Sequence, residues 1–245
     1  SEKFMKGIIL AGGEGTRLRP LTKVTSKQLL PIYDRPMIFY PLQTLLQAGI
    51  KDILIIIAPR RAGDFLNLLG SGKEFGAKFT YEIQDKPEGL AQAFIIGEKF
   101  IGKDNVTLIL GDNIFEDDFS KEINNFKSGG HIFAKKVPDP ERSGVVKFDA
   151  EMRAVKIVEK PKKFLSSYAI PGLYVYDNRV IEAARKAKPS ARGELEITDV
   201  HNWYLQRKEL MVSIIKGEWI DTGTFDSLAY ATVWAQKKSK LKNQN

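Results

Sequence analysis

Residues 7–31 read GIILAGGEGTRLRPLTKVTSKQLLP, and this stretch decides how the chain folds. Ile8 to Ala11 form a short apolar run of the buried type, cut off by Gly12, Gly13 and Gly15. That is the pattern of a strand ending in a glycine-rich loop. Glycines reach positive φ and can turn successive N–H groups toward one point, which predicts an anion-binding nest. Arg17, Arg19, Lys23 and Lys27 add four cations within the same short segment. Polar backbone with fixed cations suits a polyphosphate. Two commoner phosphate loops do not fit. GxxxxGK[ST] is missing, and GxGxxG matches Gly13 and Gly15 but meets Leu18 at its third glycine. Asp34 stands about 20 residues on, at a ribose-binding offset, yet Pro31 and Pro36 bracket it, and a central parallel strand does not take prolines there.

Outward from the loop, the spacing predicts a helix over 36–48, with Pro36 in its first turn, and a strand over 52–58 whose DILIIIA run suits burial on both faces. A helix over 62–69, a strand over 78–84, a helix over 89–100 and a strand over 106–110 follow. Alternating strands and helices imply right-handed crossovers and a mostly parallel sheet, a Rossmann-like α/β class flanked by helices. In the second half the predicted strands cluster, at 131–137, 145–148, 154–159 and 169–176. Helices follow over 179–187 and 195–207, then a strand over 210–215 and a last helix over 224–240. The clustering predicts a smaller added β layer. No linker rich in Pro, Gly or Ser divides the chain, so residues 5–245 are expected to form one domain, with Ser1 to Phe4 a ragged start before Met5.

The composition, 43% hydrophobic and 28% charged over 245 residues, is ordinary for a soluble domain. No apolar run approaches the roughly 18 residues that span a bilayer, and no signal-peptide pattern precedes the first strand. Zero cysteines exclude disulfides, thiol chemistry and thiolate metal sites, and fit a cytoplasmic protein. The net charge of +8 raises the question of nucleic acid. The cations are scattered, however, Lys237, Lys238, Lys240 and Lys242 read as a solvated helix end, and no RRM, KH or zinc-finger spacing occurs. A small, phosphate-rich substrate accounts for the charge; neither nucleic acid nor membrane is an expected partner.

GGEGTRLRPLT followed by SKQLLPIYDRPMIFYPL resembles the signature of the sugar-nucleotide pyrophosphorylases, most closely those acting on thymidine nucleotides and glucose 1-phosphate. Further matches are IQDKPEGLAQAF at 83–94, LGDNIF at 110–115, SGVVKFD at 143–149, VEKP at 158–161, GLYVYD at 172–177, RGELEITDV at 192–200 and WIDTGTFDSL at 219–228. The resemblance spans nearly the whole chain. It implies the nucleotide-diphospho-sugar transferase fold, a homo-oligomer, and magnesium-dependent nucleotidyl transfer from dTTP to glucose 1-phosphate, giving dTDP-glucose and pyrophosphate. It implies that Leu10, Gly12, Gly13, Gly15, Thr16, Arg17, Gln28, Gln84, Gly89 and Asp112 bind the nucleotide. Asn113, Gly144, Glu159, Lys160 and Trp219 would bind the sugar phosphate. Arg17, Lys27, Asp112, Lys160 and Asp221 would carry the chemistry, with Asp112 and Asp221 holding Mg2+.

Taken alone, Asp112 reads as a turn former and Asp221 as a helix-start acid. Magnesium nevertheless needs only one or two carboxylates beside substrate phosphates, and the Gln84 amide offers the donor and acceptor that a thymine or uracil edge requires. Open parallel sheets bind ligands beyond the carboxyl ends of their strands, where these residues fall. Ser143 and Pro171 depart from the Tyr and Thr usual in the family and leave the sugar open. Uridylyl transfer, another sugar 1-phosphate, or a catalytically silent sugar-nucleotide sensor are the rival readings, the last disfavoured by the full charged set. His131 and His201 match no functional motif and read as surface or structural residues. Long members of the family continue past the last helix into an effector site. Here the seventeen residues after Leu228 look too polar and basic for an apolar docking face, which predicts an incomplete effector site and little inhibition by downstream dTDP-sugars.

Overall fold

The run that opens the chain becomes a central strand because each of its side chains has a dry place to go: Ile8 and Ile9 are fully buried, and Leu10 and Ala11 nearly so. Burying one such side chain is worth about 1.5–3 kcal/mol. The computed structural model describes residues 3–191 and 193–242. Ser1 and Glu2 of the expected ragged start, Arg192 of the 192–200 motif and the last three residues lie outside them.

In chain order the strands of the described residues are Met5–Ala11 (β1), Pro31–Ile32 (β2), Arg35–Pro36 (β3), Asp52–Ile57 (β4), Lys78–Ile83 (β5), Asn105–Leu110 (β6), Asn113–Phe115 (β7), Gly130–Lys136 (β8), Gly144–Phe148 (β9), Ala154–Glu159 (β10), Tyr168–Ala169 (β11), Leu173–Tyr176 (β12), Leu210–Ile214 (β13) and Trp219–Asp221 (β14). The helices are Phe39–Gln47 (α1), Ala62–Leu69 (α2), Gln92–Ile96 (α3), Glu98–Ile101 (α4), Ser120–Asn125 (α5), Val180–Lys186 (α6), Ile197–Gln206 (α7) and Phe225–Lys242 (α8).

Four strands run parallel in the order β6-β1-β4-β5, with Ile9 opposite Ile55 on one side and Ile109 on the other. Successive side chains alternate between two cores. Ile8, Leu10, Leu54, Ile56 and Leu108 pack with Phe94, Val180 and Val200 from α3, α6 and α7. Ile9, Ile53, Ile55, Ile57 and Ile109 pack with Leu42, Phe65 and Ile123 from α1, α2 and α5. Beyond β6 the sheet turns mixed: β12 is antiparallel to β6 and β8, and β13 runs parallel along β8. The antiparallel group β11-β9-β10 hangs on the far end of β8 and is the smaller added layer.

Several elements differ from expectation. The first helix begins at Phe39, because Pro36 pairs with Pro31 in the hairpin β2–β3, turned at Tyr33 with φ 59°. The helix expected over 89–100 is two short ones meeting at Gly97, which lies hard against Ile8 and Leu54. The strand expected over 169–176 is split into β11 and β12 around Ile170-Pro171-Gly172, where proline has no N–H for the ladder. The sequence reading also missed α5 and the two-stranded ribbon β7–β14.

A third core joins Leu18, Leu30, Ile32, Met37, Ile114 and Ile220 to Ala231 and Ala235 of α8. The expectation that the chain after Leu228 lacks an apolar docking face is therefore corrected. Two alanines one turn apart, flanked by Trp234, give an otherwise basic helix a flat strip that pins it beneath the ribbon and the hairpin. Among the described residues no helix is long and apolar enough to cross a membrane.

Candidate active site

The carboxyl ends of β1, β5 and β6 open onto one crevice. A cavity of about 220 Å³ there is lined by Leu10, Gly13, Lys27, Gln28, Gln84, Gly89 and Asp112, with Leu90, Leu110 and Glu194. Gly12 faces a neighbouring hollow, while Gly15 and Thr16 sit in the turn that follows and line neither this cavity nor the next one described. The expected run of positive-φ glycines is corrected: Gly15 alone of the three adopts it, at 63°. Gly12 is there for room, since a Cβ would fall 2.1 Å from Gln84 Oε1, and Gly13 is open to the cavity. Gly89, at φ 107°, passes so close to the Leu195 backbone that a Cβ would lie 2.4–2.8 Å from it.

The Gln84 amide is oriented by its neighbours. Gln92 Oε1 accepts from the Glu88 N–H at 3.2 Å, so Gln84 donates Nε2 to that same oxygen at 2.7 Å and turns its own Oε1 toward Gly12. Gln28 is 3% exposed and its Oε1 has no hydrogen-bond partner. Leaving such an acceptor unpaired costs about 1–3 kcal/mol, recovered when a donor arrives.

The ribbon β7–β14 assembles the acids. Its register sets Asn113 opposite Asp221, and Thr222 donates both its N–H (3.0 Å) and its hydroxyl (2.7 Å) to the Asp112 carbonyl. Asp112 is held at both oxygens, Oδ2 by the Lys27 ammonium and Oδ1 by Asn113 Nδ2 at 3.0 Å. Asp221 is exposed and lines the second cavity, and the protein atoms around its carboxyl replace part of its hydration. That desolvation first, and then the charge of Asp112, push its carboxyl up to about 6 against the pull of Lys27 and Arg17. The Arg17 guanidinium rests on Gly223 beside Asp221. Two neighbouring carboxylates without histidine or cysteine are an all-oxygen donor set that fits a hard divalent cation, and no group of three or more His, Cys, Asp or Glu occurs among the described residues.

A second cavity of about 240 Å³ shares Leu90 and Leu110 with the first and is lined by Arg17, Asn113, Gly144, Glu159, Lys160, Trp219 and Asp221. Asn113, 2% exposed, accepts from the Trp219 indole at 2.7 Å and from the Gly172 N–H at 3.0 Å. Its amide therefore ties Asp112, Trp219 and the β12 entry together. Glu159 accepts from the Thr198 hydroxyl at 2.9 Å. Lys160 sits at φ 43°, a strained position for a side-chain residue, held by its N–H on the Ser143 carbonyl at 3.1 Å.

The sequence model of the nucleotidyl transferase family matches residues 6–238. The chain belongs to that family. It is 53% identical over 245 residues to glucose-1-phosphate thymidylyltransferase of Neisseria meningitidis serogroup A, covering 98% of this chain and 85% of the relative. It is 55% identical over 233 residues to the enzyme of that name from Mycolicibacterium smegmatis, with 93% and 81% covered. Among solved structures, a Bacillus anthracis protein described as a glucose-1-phosphate thymidylyltransferase, in complex with a sucrose, superposes with a TM-score of 0.89 at 49% identity, covering 95% of both chains.

Within this nucleotidyl transferase the cavities also recruit residues that the sequence reading passed over. Tyr174 lies inside GLYVYD, and burial first, then the charges of Glu159, Asp112 and Asp221, raise its phenol, which places it among the acids. Thr198 lies inside the TDV motif and orients Glu159. His201 is fully buried in the wall of the second cavity. His131 is structural, as expected: it is half-buried, shares a hydrogen bond with the Ser213 hydroxyl at 2.8 Å and stacks on Phe133.

Proposed function

We propose that the chain transfers a thymidylyl group from dTTP to glucose 1-phosphate, the nucleotide in the first cavity and the hexose phosphate in the second. The observation that carries this reading is the ribbon that joins Asp112, on the nucleotide side, to Asp221, on the sugar side, where the two cavities meet. A phosphate oxygen of glucose 1-phosphate attacks the α-phosphorus of dTTP; the bond from that phosphorus to the oxygen bridging to the β-phosphate breaks, and pyrophosphate leaves. The nucleophile is already an anion, so the chain needs no general base and no covalent intermediate. Its work is to hold two polyanions in line and to neutralise the charge that builds between them.

Lys160, which forms no ion pair among the described residues, takes the sugar phosphate; Glu159 and the Gly144 backbone take hexose hydroxyls. Arg17 and the loop backbone at Gly13 take the departing phosphates. Lys27 stays between Asp112 and the transferring phosphate. Mg2+ bound between Asp112 and Asp221 would neutralise the α-phosphate and fix its orientation. On the base side, the Gln84 donor is engaged by Gln92, which leaves Oε1 for the N3–H of a thymine or uracil imide. The Gly89 N–H, unpartnered among the described residues, faces a base carbonyl. Cytosine would set an acceptor against that oxygen, and adenine is too large.

A pyrophosphate-release assay with dTTP, UTP, CTP and ATP tests this. dTTP is expected to be the best substrate and UTP to follow within the roughly 10–200-fold that one methyl group commands, with CTP and ATP inactive. CTP turnover comparable to that of dTTP contradicts the base assignment. We also infer a homo-oligomer, supported by the resemblance and tested by light scattering.

A further inference from the structure

His201 of α7 is clamped in an aromatic stack. Tyr176 lies nearly parallel to it with ring centroids 6.1 Å apart, Tyr204 stacks behind Tyr176 at 5.0 Å, and Tyr174 meets the imidazole edge-on at 5.0 Å. The stack is anchored by the Tyr204 hydroxyl, which donates to Asp177 Oδ1 at 2.9 Å. Burial holds the imidazole neutral, with its pKa lowered to about 3, and the Tyr176 phenol keeps its proton because burial raises it well above its usual range. A neutral imidazole has one N–H. The Tyr176 hydroxyl bonds to His201 Nδ1 and to no other described atom, so its proton is satisfied by donating there. That fixes the tautomer: Nδ1 accepts, and Nε2 carries the hydrogen. Nε2 itself is buried without any partner, and the ring forms part of the wall of the cavity that also holds Glu159, Thr198 and Tyr174.

We propose that the His201 Nε2–H is a specificity-determining donor that reads one hydroxyl oxygen of the hexose from the wall of the sugar cavity. This rests on the reading of that cavity as the hexose 1-phosphate site. The donor complements Glu159, which can only accept: the carboxylate takes hydroxyl protons, and the histidine supplies a proton to a hydroxyl oxygen. A sugar lacking that oxygen leaves the buried donor unpaired, whereas a missing hydroxyl elsewhere does not touch it.

The test is kcat/KM for glucose 1-phosphate and its four monodeoxy analogues (2-, 3-, 4- and 6-deoxy) with the wild-type enzyme, His201→Asn and His201→Gln. Asparagine keeps a polar group at the Nδ1 position for Tyr176 but does not reach Nε2; glutamine returns an N–H there. The wild type is expected to penalise one analogue about 10- to 100-fold. His201→Asn should abolish that penalty while leaving the other three, and His201→Gln should restore it. All four penalties unchanged in His201→Asn, or all four falling together, overturns the proposal. Should His201→Asn not fold, Tyr176→Phe, which frees the tautomer and keeps the ring, must lower the same single penalty, and unchanged penalties there overturn it equally. A wild-type enzyme that turns over no glucose 1-phosphate contradicts the proposed function and removes this inference with it.

Discussion

The two cavities are built on different plans. The nucleotide side is built chiefly from two loops, Leu10 to Gln28 and Gln84 to Leu90, met by the end of β6, and what the loops contribute is bare backbone and space at Gly13 and Gly89. The sugar side gathers residues from eight separated stretches, between Arg17 and Asp221, and fixes their side chains by hydrogen bonds: Asn113 to Trp219, Thr198 to Glu159, and His201 to Tyr176 behind the wall. A site made of space is sensitive to added atoms. A site made of interlocked side chains is sensitive to lost ones, and each loss is felt by the fold as well as by the ligand.

The seam between the plans is where the largest effect is expected. Asp221→Asn removes one charge from the carboxylate pair on the open side of the ribbon while keeping its size. Turnover should fall about 100- to 1,000-fold, the 2.7–4 kcal/mol that one charge-stabilising contact is worth, with the circular dichroism spectrum unchanged. Near-normal turnover would detach Asp221 from the chemistry. Next comes Asn113→Ala. It strips the Trp219 indole and the Gly172 N–H of their acceptor and frees Asp112, so stability should drop by about 1–3 kcal/mol together with turnover. A chemical-denaturation curve that does not move would show that the amide only faces substrate. The smallest effect on stability is expected on the nucleotide side, at Gly13→Ala. Nothing lies within 4 Å of the added methyl, so the unfolding free energy should stay within about 0.5 kcal/mol of the wild type while KM for dTTP rises and KM for glucose 1-phosphate does not. A matching loss of stability there would erase the contrast between the two plans.

The same contrast explains what could be read from the sequence. The parallel strands were legible because burial on both faces leaves continuous apolar runs such as DILIII, and the phosphate loop was legible because its glycines and cations, Gly12 to Lys27, are neighbours in the chain. The ribbon β7–β14 was not. Three-residue strands carry no measurable alternation, and their pairing joins positions about a hundred residues apart, so the adjacency of Asp112 and Asp221 came from resemblance rather than from pattern. Asn113 was read as a sugar contact, but the structure gives it the further task of tying Asp112 to Trp219. His201 looked inert because no spacing reveals that a lone histidine on a helix is fully buried beside a cavity. Ala231 and Ala235 escaped notice because small residues hardly raise the apolar signal of a basic helix, although their size is what lets α8 lie flat against the third core.

The central claim is that the two cavities work as one transferase centre across the Asp112–Asp221 seam. Phosphorus NMR of the wild-type protein with dTTP, glucose 1-phosphate and Mg2+ tests it most directly. The account predicts that the three dTTP resonances give way to those of pyrophosphate and of a sugar-linked diphosphate in equal amounts, and that a chelator stops the conversion. Both ligands bound and dTTP left intact would contradict it and leave a protein that binds sugar nucleotides without making them.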